Sequence, residues 1–196
     1  MAFETVKTNL EARGYTVKVL ATGAEAAAYI NSVVDNTTVG IGGSMTVQSM
    51  GLYETLSAHN QVFWHWVSGP EAHAQASVAQ VYLTSANGLS ENGEIINIDG
   101  AGNRVSESIF GHKKVYFVIG KNKLAEDYDK ALWRARNIAG PKNAQRLGRK
   151  TPCAAKGDRC YNCSSPDRIC KVLSVFWGAP MGADCEVVLI KEDLGY

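Results

Sequence analysis

At 196 residues, with 45% hydrophobic and 20% charged side chains, the chain is sized for one well-buried α/β domain with an appendage and is too apolar for long disorder. Its formal net charge of +1 gives no electrostatic case for a nucleic-acid or membrane partner, so a charged ligand has to be met by local groups. The start, Met1-Ala2-Phe3-Glu4-Thr5-Val6-Lys7, lacks the basic and apolar stretches of a secretory signal, and no apolar run nears the ~20 residues that span a bilayer. A soluble, cytoplasmic protein without membrane insertion is expected, and in that compartment the five cysteines stay reduced.

Phe3, Val6 and Leu10 fall at helical spacing, with Gly14 as a stop signal, and Tyr15 to Leu20 alternates as a short strand. An alanine-rich helix from Ala24 to Val34 leads to a strand at Thr37 to Ile41, which ends in the turn Gly42-Gly43-Ser44-Met45-Thr46. Behind that turn a helix is predicted from Met45 to Ala58, with Val47, Met50, Tyr53 and Leu56 near one face. Gly51 inside it costs ~1 kcal/mol relative to alanine, which implies close packing at a missing side chain. Gln61 to Trp66 reads as a strand that puts His65 on the face opposite its flanking tryptophans, and Glu71 to Gln80 as a helix. A short strand at Val81 to Ser85 ends at Ala86-Asn87-Gly88, and the turn Glu91-Asn92-Gly93-Glu94 precedes a strand at Ile95 to Ile98.

That strand stops at a second glycine loop, Asp99-Gly100-Ala101-Gly102-Asn103-Arg104. Lys114 to Ile119 is the cleanest core strand, and a helix from Ala125 to about Ala139 is expected to break at Gly140-Pro141. Alternating strands and helices predict an α/β fold with a mixed, mostly parallel sheet and helices on both faces. Residues 1–150 form the main domain, and 151–196 a cysteine-rich extension with two strands, Lys171 to Phe176 and Glu186 to Ile190, packing on it.

Three groups of residues carry candidate chemistry. Gly42 and Gly43 let backbone amides approach a phosphate or carboxylate, and Ser44 and Thr46 add hydroxyls; the alternative is a tight turn in which Ser44 caps the next helix. Asp99, Asn103 and Arg104 follow a strand, where open α/β sheets bind ligands, although Asp99 and Asn103 in a turn also bond their own backbone. Lys121 and Lys123 add positive charge after another strand, the commoner outcome being solvated lysines.

Cys153, Cys160, Cys163 and Cys170 lie in a polar segment with little core of its own, as suits a metal that substitutes for packing. The spacing matches neither a zinc ribbon nor a ferredoxin run, so zinc, an iron–sulfur cluster, and plain thiols all stand open. Cys185 reads as core. His59, His73 and His112 read as surface or helix-end residues, and His65 as structural. The basic, amide-rich helix and hinge with Trp133, Arg134, Arg136, Asn137, Pro141, Asn143 and Arg146 reads as a solvated face with one buried tryptophan, or as a homodimer contact.

Taken together, Gly42-Gly43-Ser44-x-Thr46, Leu83-Thr84-Ser85-Ala86-Asn87, Asn97-Ile98-Asp99-Gly100-x-Gly102-Asn103-Arg104-Val105 and Arg136-Asn137-Ile138-Ala139-x-Pro141-x-Asn143-Ala144 resemble the LUD-domain, or lactate-utilisation, family. The segment ending Ser165-Pro166-Asp167-Arg168-Ile169-Cys170 looks like the tail of one of its branches. The resemblance implies a fold like that of ribose-5-phosphate isomerase, glucosamine-6-phosphate deaminase and the CoA transferases, in which such a loop holds the phosphate or carboxylate of a small anionic metabolite. It also implies a place in oxidation of lactate or a related organic acid, alongside iron–sulfur protein partner subunits. In the family pattern the helix after the loop often carries a carboxylate where this chain has Gln48 and Ser49. Glu54 is a turn further on, which leaves Asp99 as the candidate proton carrier. A non-catalytic subunit carrying a redox centre, and a sugar-phosphate isomerase or hydrolase, are the two other functions that these features allow.

Overall fold

The apolar run expected to be the best core strand is the centre of the sheet. In a computed structural model of the chain, which describes residues 3–196, a six-stranded sheet runs in the order β1 (Thr16–Leu20), β10 (Asp184–Ile190), β7 (Lys114–Gly120), β4 (Val81–Thr84), β2 (Thr38–Ile41) and β3 (Gln61–Trp64). Every neighbouring pair is parallel. In β7, Val115, Phe117 and Ile119 enter one core, while Tyr116 and Val118 enter the other. Burial on both faces explains why these strands read as continuous apolar runs, each buried aliphatic or aromatic side chain contributing about 1.5–3 kcal/mol.

One face is covered by α2 (Gly23–Val33), α3 (Met45–Ser49) and α4 (Leu52–Ser57), through Ile30, Val47, Leu52 and Leu56. The opposite face packs against α1 (Phe3–Ala12), through Val6 and Leu10, and against a second sheet. That sheet has the order β8 (Leu124–Ala125), β5 (Gly88–Ser90), β6 (Ile95–Asp99) and β9 (Val172–Phe176). β6 is antiparallel to both β5 and β9, so the antiparallel element signalled by Asn92-Gly93 is segregated from the parallel sheet.

Several expected boundaries move, each for a local reason. The helix predicted from Met45 to Ala58 is two helices, because Gly51 adopts φ 63° between them. A Cβ there would find nearly open space, its nearest neighbour being Glu54 Oε2 at 3.9 Å, so the glycine supplies a left-handed turn and not close packing. The strand through Trp66 ends at Trp64, and His65 opens the helical turn α5 (His65–Ser68), followed by the short α6 (Ala72–Ala76). The second glycine loop runs directly into a helix, α7 (Asn103–Ile109).

The helix α8 (Tyr128–Arg134) does not stop at Gly140-Pro141. It widens into a π segment, Ala135–Ala139, and continues as α9 (Gly140–Arg146). Pro141 has no N–H to bond back one turn, and the wider winding just before it accommodates the loss. On this helix Trp133 is exposed and Arg134 is buried, the reverse of a solvated basic face with one buried tryptophan. The segment 151–196 begins with α10 (Pro152–Lys156) and supplies a strand to each sheet, β10 lying in the interior between β1 and β7. Among the described residues, no helix is long and apolar enough to cross a membrane.

Because the main sheet is parallel, the carboxyl ends of its strands share one edge. β2 is followed by a connection to β3 on one side, and β4 by connections towards β7 and β10 on the other. The crevice between β2 and β4 is therefore a topological switch point, the place where open α/β sheets hold ligands.

Candidate functional site

A cavity of about 440 Å³ opens at that crevice. Its walls combine the turn after β2 (Gly43, Ser44, Thr46), the end of β4 (Ser85, Asn87), the loop after β6 (Asp99, Asn103, Arg104) and Lys123 beyond β7. Six basic side chains line it (Arg104, Lys123, Arg146, Arg149, Arg168, Lys171) against the carboxylates of Asp99 and Asp167. A near-neutral chain thus concentrates positive charge in one concave place.

Lys123 is the most unusual of these groups. It is 3% exposed, and its Nζ donates to Thr46 Oγ1 at 2.6 Å and to Ser85 Oγ at 2.7 Å. No carboxylate pairs with it among the described residues. Burial, then the nearby charges of Arg134 and Arg104, lower its pKa from 10.5 to about 7. Arg134 is itself buried below, donating to the carbonyls of Asn122 and Asn87, both at 2.6 Å. The segment 191–196 crosses the same crevice, where Leu194 O accepts from Thr46 Oγ1 at 3.2 Å. Tyr196 Oη lies 2.7 Å from Arg146 Nε.

Asp99 lines the cavity, but its carboxylate is committed to its own loop. Oδ1 accepts from the amides of Gly100 and Gly102, and Oδ2 from the amide and the Nε of Arg104 at 3.2 and 3.1 Å. Gly102, at φ 92°, begins the helix that carries Arg104 back over Asp99. Arg104 also donates to Ile98 O at 2.5 Å, so its guanidinium is fixed at the cavity wall. Beneath, the buried Asn97 donates to Ser85 O and accepts from the amide of Asn87, tying the end of β4 to β6.

In the first glycine turn, Ser44 Oγ accepts from Val47 N at 3.2 Å and caps α3. Gly42 sits behind the cavity, where a Cβ would lie 2.7 Å from Tyr82 Oη and 3.0 Å from Arg104 Cγ. Gly43 faces it and rests on the Trp66 ring, on which the Arg146 guanidinium also stacks, 4.7 Å from the ring centroid. His65 also lines the wall, stacked on His73 at 4.2 Å, and its pKa is lowered by burial and then by His73. His112, expected at the surface, is buried between Ala79 O and Glu107 Oε2.

Of the residues proposed from sequence, Gly43, Ser44, Thr46, Asp99, Asn103 and Arg104 come together around one cavity. Lys121 does not join them; it is exposed, 4.0 Å from Asp193. Lys123, two residues on, turns inward instead. Ser85, Asn143 and Arg146 were within the quoted family blocks or the basic helix, yet nothing in their local pattern separates them from structural residues.

The cysteines occupy an adjoining site. Cys153, Cys160, Cys163 and Cys170 all line a second cavity of about 300 Å³, which shares Ile98, Gly140 and residues 168–171 with the first. All four are free thiols of intermediate exposure, whereas Cys185 is buried in the core, where burial raises its pKa to about 11. Arg168 ties the loop together by donating to the carbonyls of Cys163 and Cys170, each at 2.8 Å. Among the described residues, no three metal-ligating side chains are grouped closely enough to hold a metal ion as they stand.

Comparison with known proteins agrees with this architecture. The family model described as the LUD domain matches residues 3–190. The chain belongs to the LUD-domain family. The match runs through the cysteine segment and both C-terminal strands, which is consistent with β10 lying inside the main sheet of the LUD domain. Among solved structures, the chain is similar to a DUF162-family protein from Deinococcus radiodurans, with 13% identity, 95% of this chain and 94% of that one covered, and a TM-score of 0.57. At that identity the likeness shows the fold alone. No curated protein matches the chain.

Proposed function

We propose that this LUD protein binds a small organic acid of the lactate or pyruvate kind in the cationic cavity and acts in lactate or related organic-acid metabolism. The observation that carries the reading is Lys123, a buried amine held by two hydroxyls at the switch point of the sheet. With two N–H groups committed to Thr46 and Ser85, the neutral amine keeps a lone pair and the ammonium keeps a third N–H. A group whose pKa is about 7 can take up or release a proton at working pH.

In this reading Arg104 and Arg146 receive the carboxylate, and the turn from Gly43 to Thr46 brings backbone amides to the same wall. Lys123 exchanges a proton with the oxygen or carbon next to the carboxylate. Such a step is worth about 10²–10⁴ in rate where it is used. The proton-carrying part expected of Asp99 passes to Lys123, because both Asp99 oxygens are occupied by its own loop and by Arg104.

Thermal melting with L-lactate, pyruvate, ribose 5-phosphate and coenzyme A tests the reading. Saturation at 100 times the Kd adds about 2.7 kcal/mol, or roughly 5–10 °C in Tm for a domain of this size. A rise with the organic acids is expected. A rise with ribose 5-phosphate alone would favour the sugar-phosphate function, and no response to either acid would remove the organic-acid reading.

A further inference from the structure

We propose that Cys153, Cys160, Cys163 and Cys170 hold an iron–sulfur cluster in the second cavity, one wall away from Lys123's. Cys153 sits on α10 and the other three cysteines in the mostly polar loop that follows, yet all four line one concave space. A single zinc ion needs four sulfurs about 2.3 Å from one point, which brings the sulfurs nearly into contact. Among the described residues, no three ligands are so grouped. The cavity they help to line, about 300 Å³, is more than one ion fills. Thiols spread around a space of that size suit a multi-atom centre of iron and sulfide.

Charge points the same way. Among the described residues, Arg136, Arg168 and Lys171 line this cavity and no carboxylate does. On ligation each thiol gives up its proton, and four thiolates leave the cluster and its ligands negative as a whole, so three cations offset what would otherwise be an unbalanced anion. The amide of Asn162 also donates to Cys160 Sγ at 3.4 Å, the kind of hydrogen bond to sulfur that tunes a cluster's potential. Iron and sulfide come from outside the chain, and no oxidation or reduction of the cysteines is involved.

The full chain, purified anaerobically and reconstituted with ferrous and ferric iron and sulfide, tests this without any organic acid, so its outcome is separate from the fate of the anion site. Visible absorption, with iron and sulfide retained in equal amounts after desalting, is expected. Cys163→Ala and Cys160→Ala are expected to lose that iron several-fold or more, while Cys185→Ala keeps it; far-UV circular dichroism shows whether each variant is folded. Equal iron and sulfide in wild type and Cys163→Ala, stoichiometric zinc with no uptake of iron, or no retained metal at all would each overturn the assignment.

Discussion

Around the first cavity the polar groups are tied to one another: Lys123 to Thr46 and Ser85, Asp99 to Arg104, Asn97 to Ser85 and Asn87. Around the second, four thiols form no disulfide and are not bonded to one another, one on α10 and three in a loop that Arg168 closes chiefly through backbone carbonyls. The first is built from the ends of strands, and the packing that forms the sheet also holds its side chains in place. The second has few buried apolar groups, so its order depends on local polar bonds and on whatever its thiols bind. A rigid site that exists before its ligand and a loop that an occupant completes make different demands on the chain.

That contrast predicts where substitutions will be felt. The largest effect concerns Lys123. Between pH 7 and 10.5 the unfolded chain carries a proton on this lysine that the folded chain has released, so stability rises with pH across the window and is lowest below it. The difference between 10.5 and about 7 corresponds to roughly 5 kcal/mol. Denaturant unfolding of wild type and Lys123→Met at pH 7 and pH 10 isolates it, because only the wild type should gain most of this increment, about 3–4 kcal/mol, between those two pH values. Parallel pH profiles would mean that the amine is not desolvated.

Next comes Asp99→Asn, which leaves Arg104 without its carboxylate in a nearly buried place and removes an acceptor from the loop amides. A loss of about 3 kcal/mol is expected in denaturant unfolding. A change within about 0.5 kcal/mol would show that the loop is not built on this carboxylate. Gly42→Ala should cost about 2 kcal/mol by crowding Tyr82 and Arg104, read as a lower urea midpoint with an unchanged slope. Arg168→Ala is the smallest in global terms, within about 0.5 kcal/mol, yet amide hydrogen exchange should quicken between Cys160 and Cys170. A large global loss there would erase the distinction between the two regions.

Much of the scaffold was legible in the chain because local pattern and tertiary environment agree. β7 is apolar on both faces and reads so, and the Asn92-Gly93 turn leads into the strand it signals, although β5 (Gly88–Ser90), the partner before the turn, is too short and glycine-led to read as a strand. Gly51 was visible as an anomaly, but its left-handed φ could not be told from close packing by identity alone. At the site, the two glycine loops were recognisable from their position after strands. Lys123 was not distinguished from Lys121, since in Lys121-Asn122-Lys123 both sit in a polar tripeptide. Only the short 3₁₀ turn, which directs one to solvent and the other under Thr46 and Ser85, separates them. The helix α7 was hidden because Asp99 to Asn103 has the composition of a loop, and its start depends on Asp99 accepting from amides farther along the chain.

The most direct test of the role given to the first cavity is a calorimetric titration of pyruvate and L-lactate into wild type and Lys123→Met, both confirmed as folded. Wild type is expected to bind at least one of the two acids. The variant, as stable or more stable near pH 7, is expected to bind that acid at least tenfold more weakly, a difference of about 1.4 kcal/mol. Equal affinity in the two proteins, or no binding of either acid to wild type, would contradict the assignment of Lys123 and its cavity to a small organic acid.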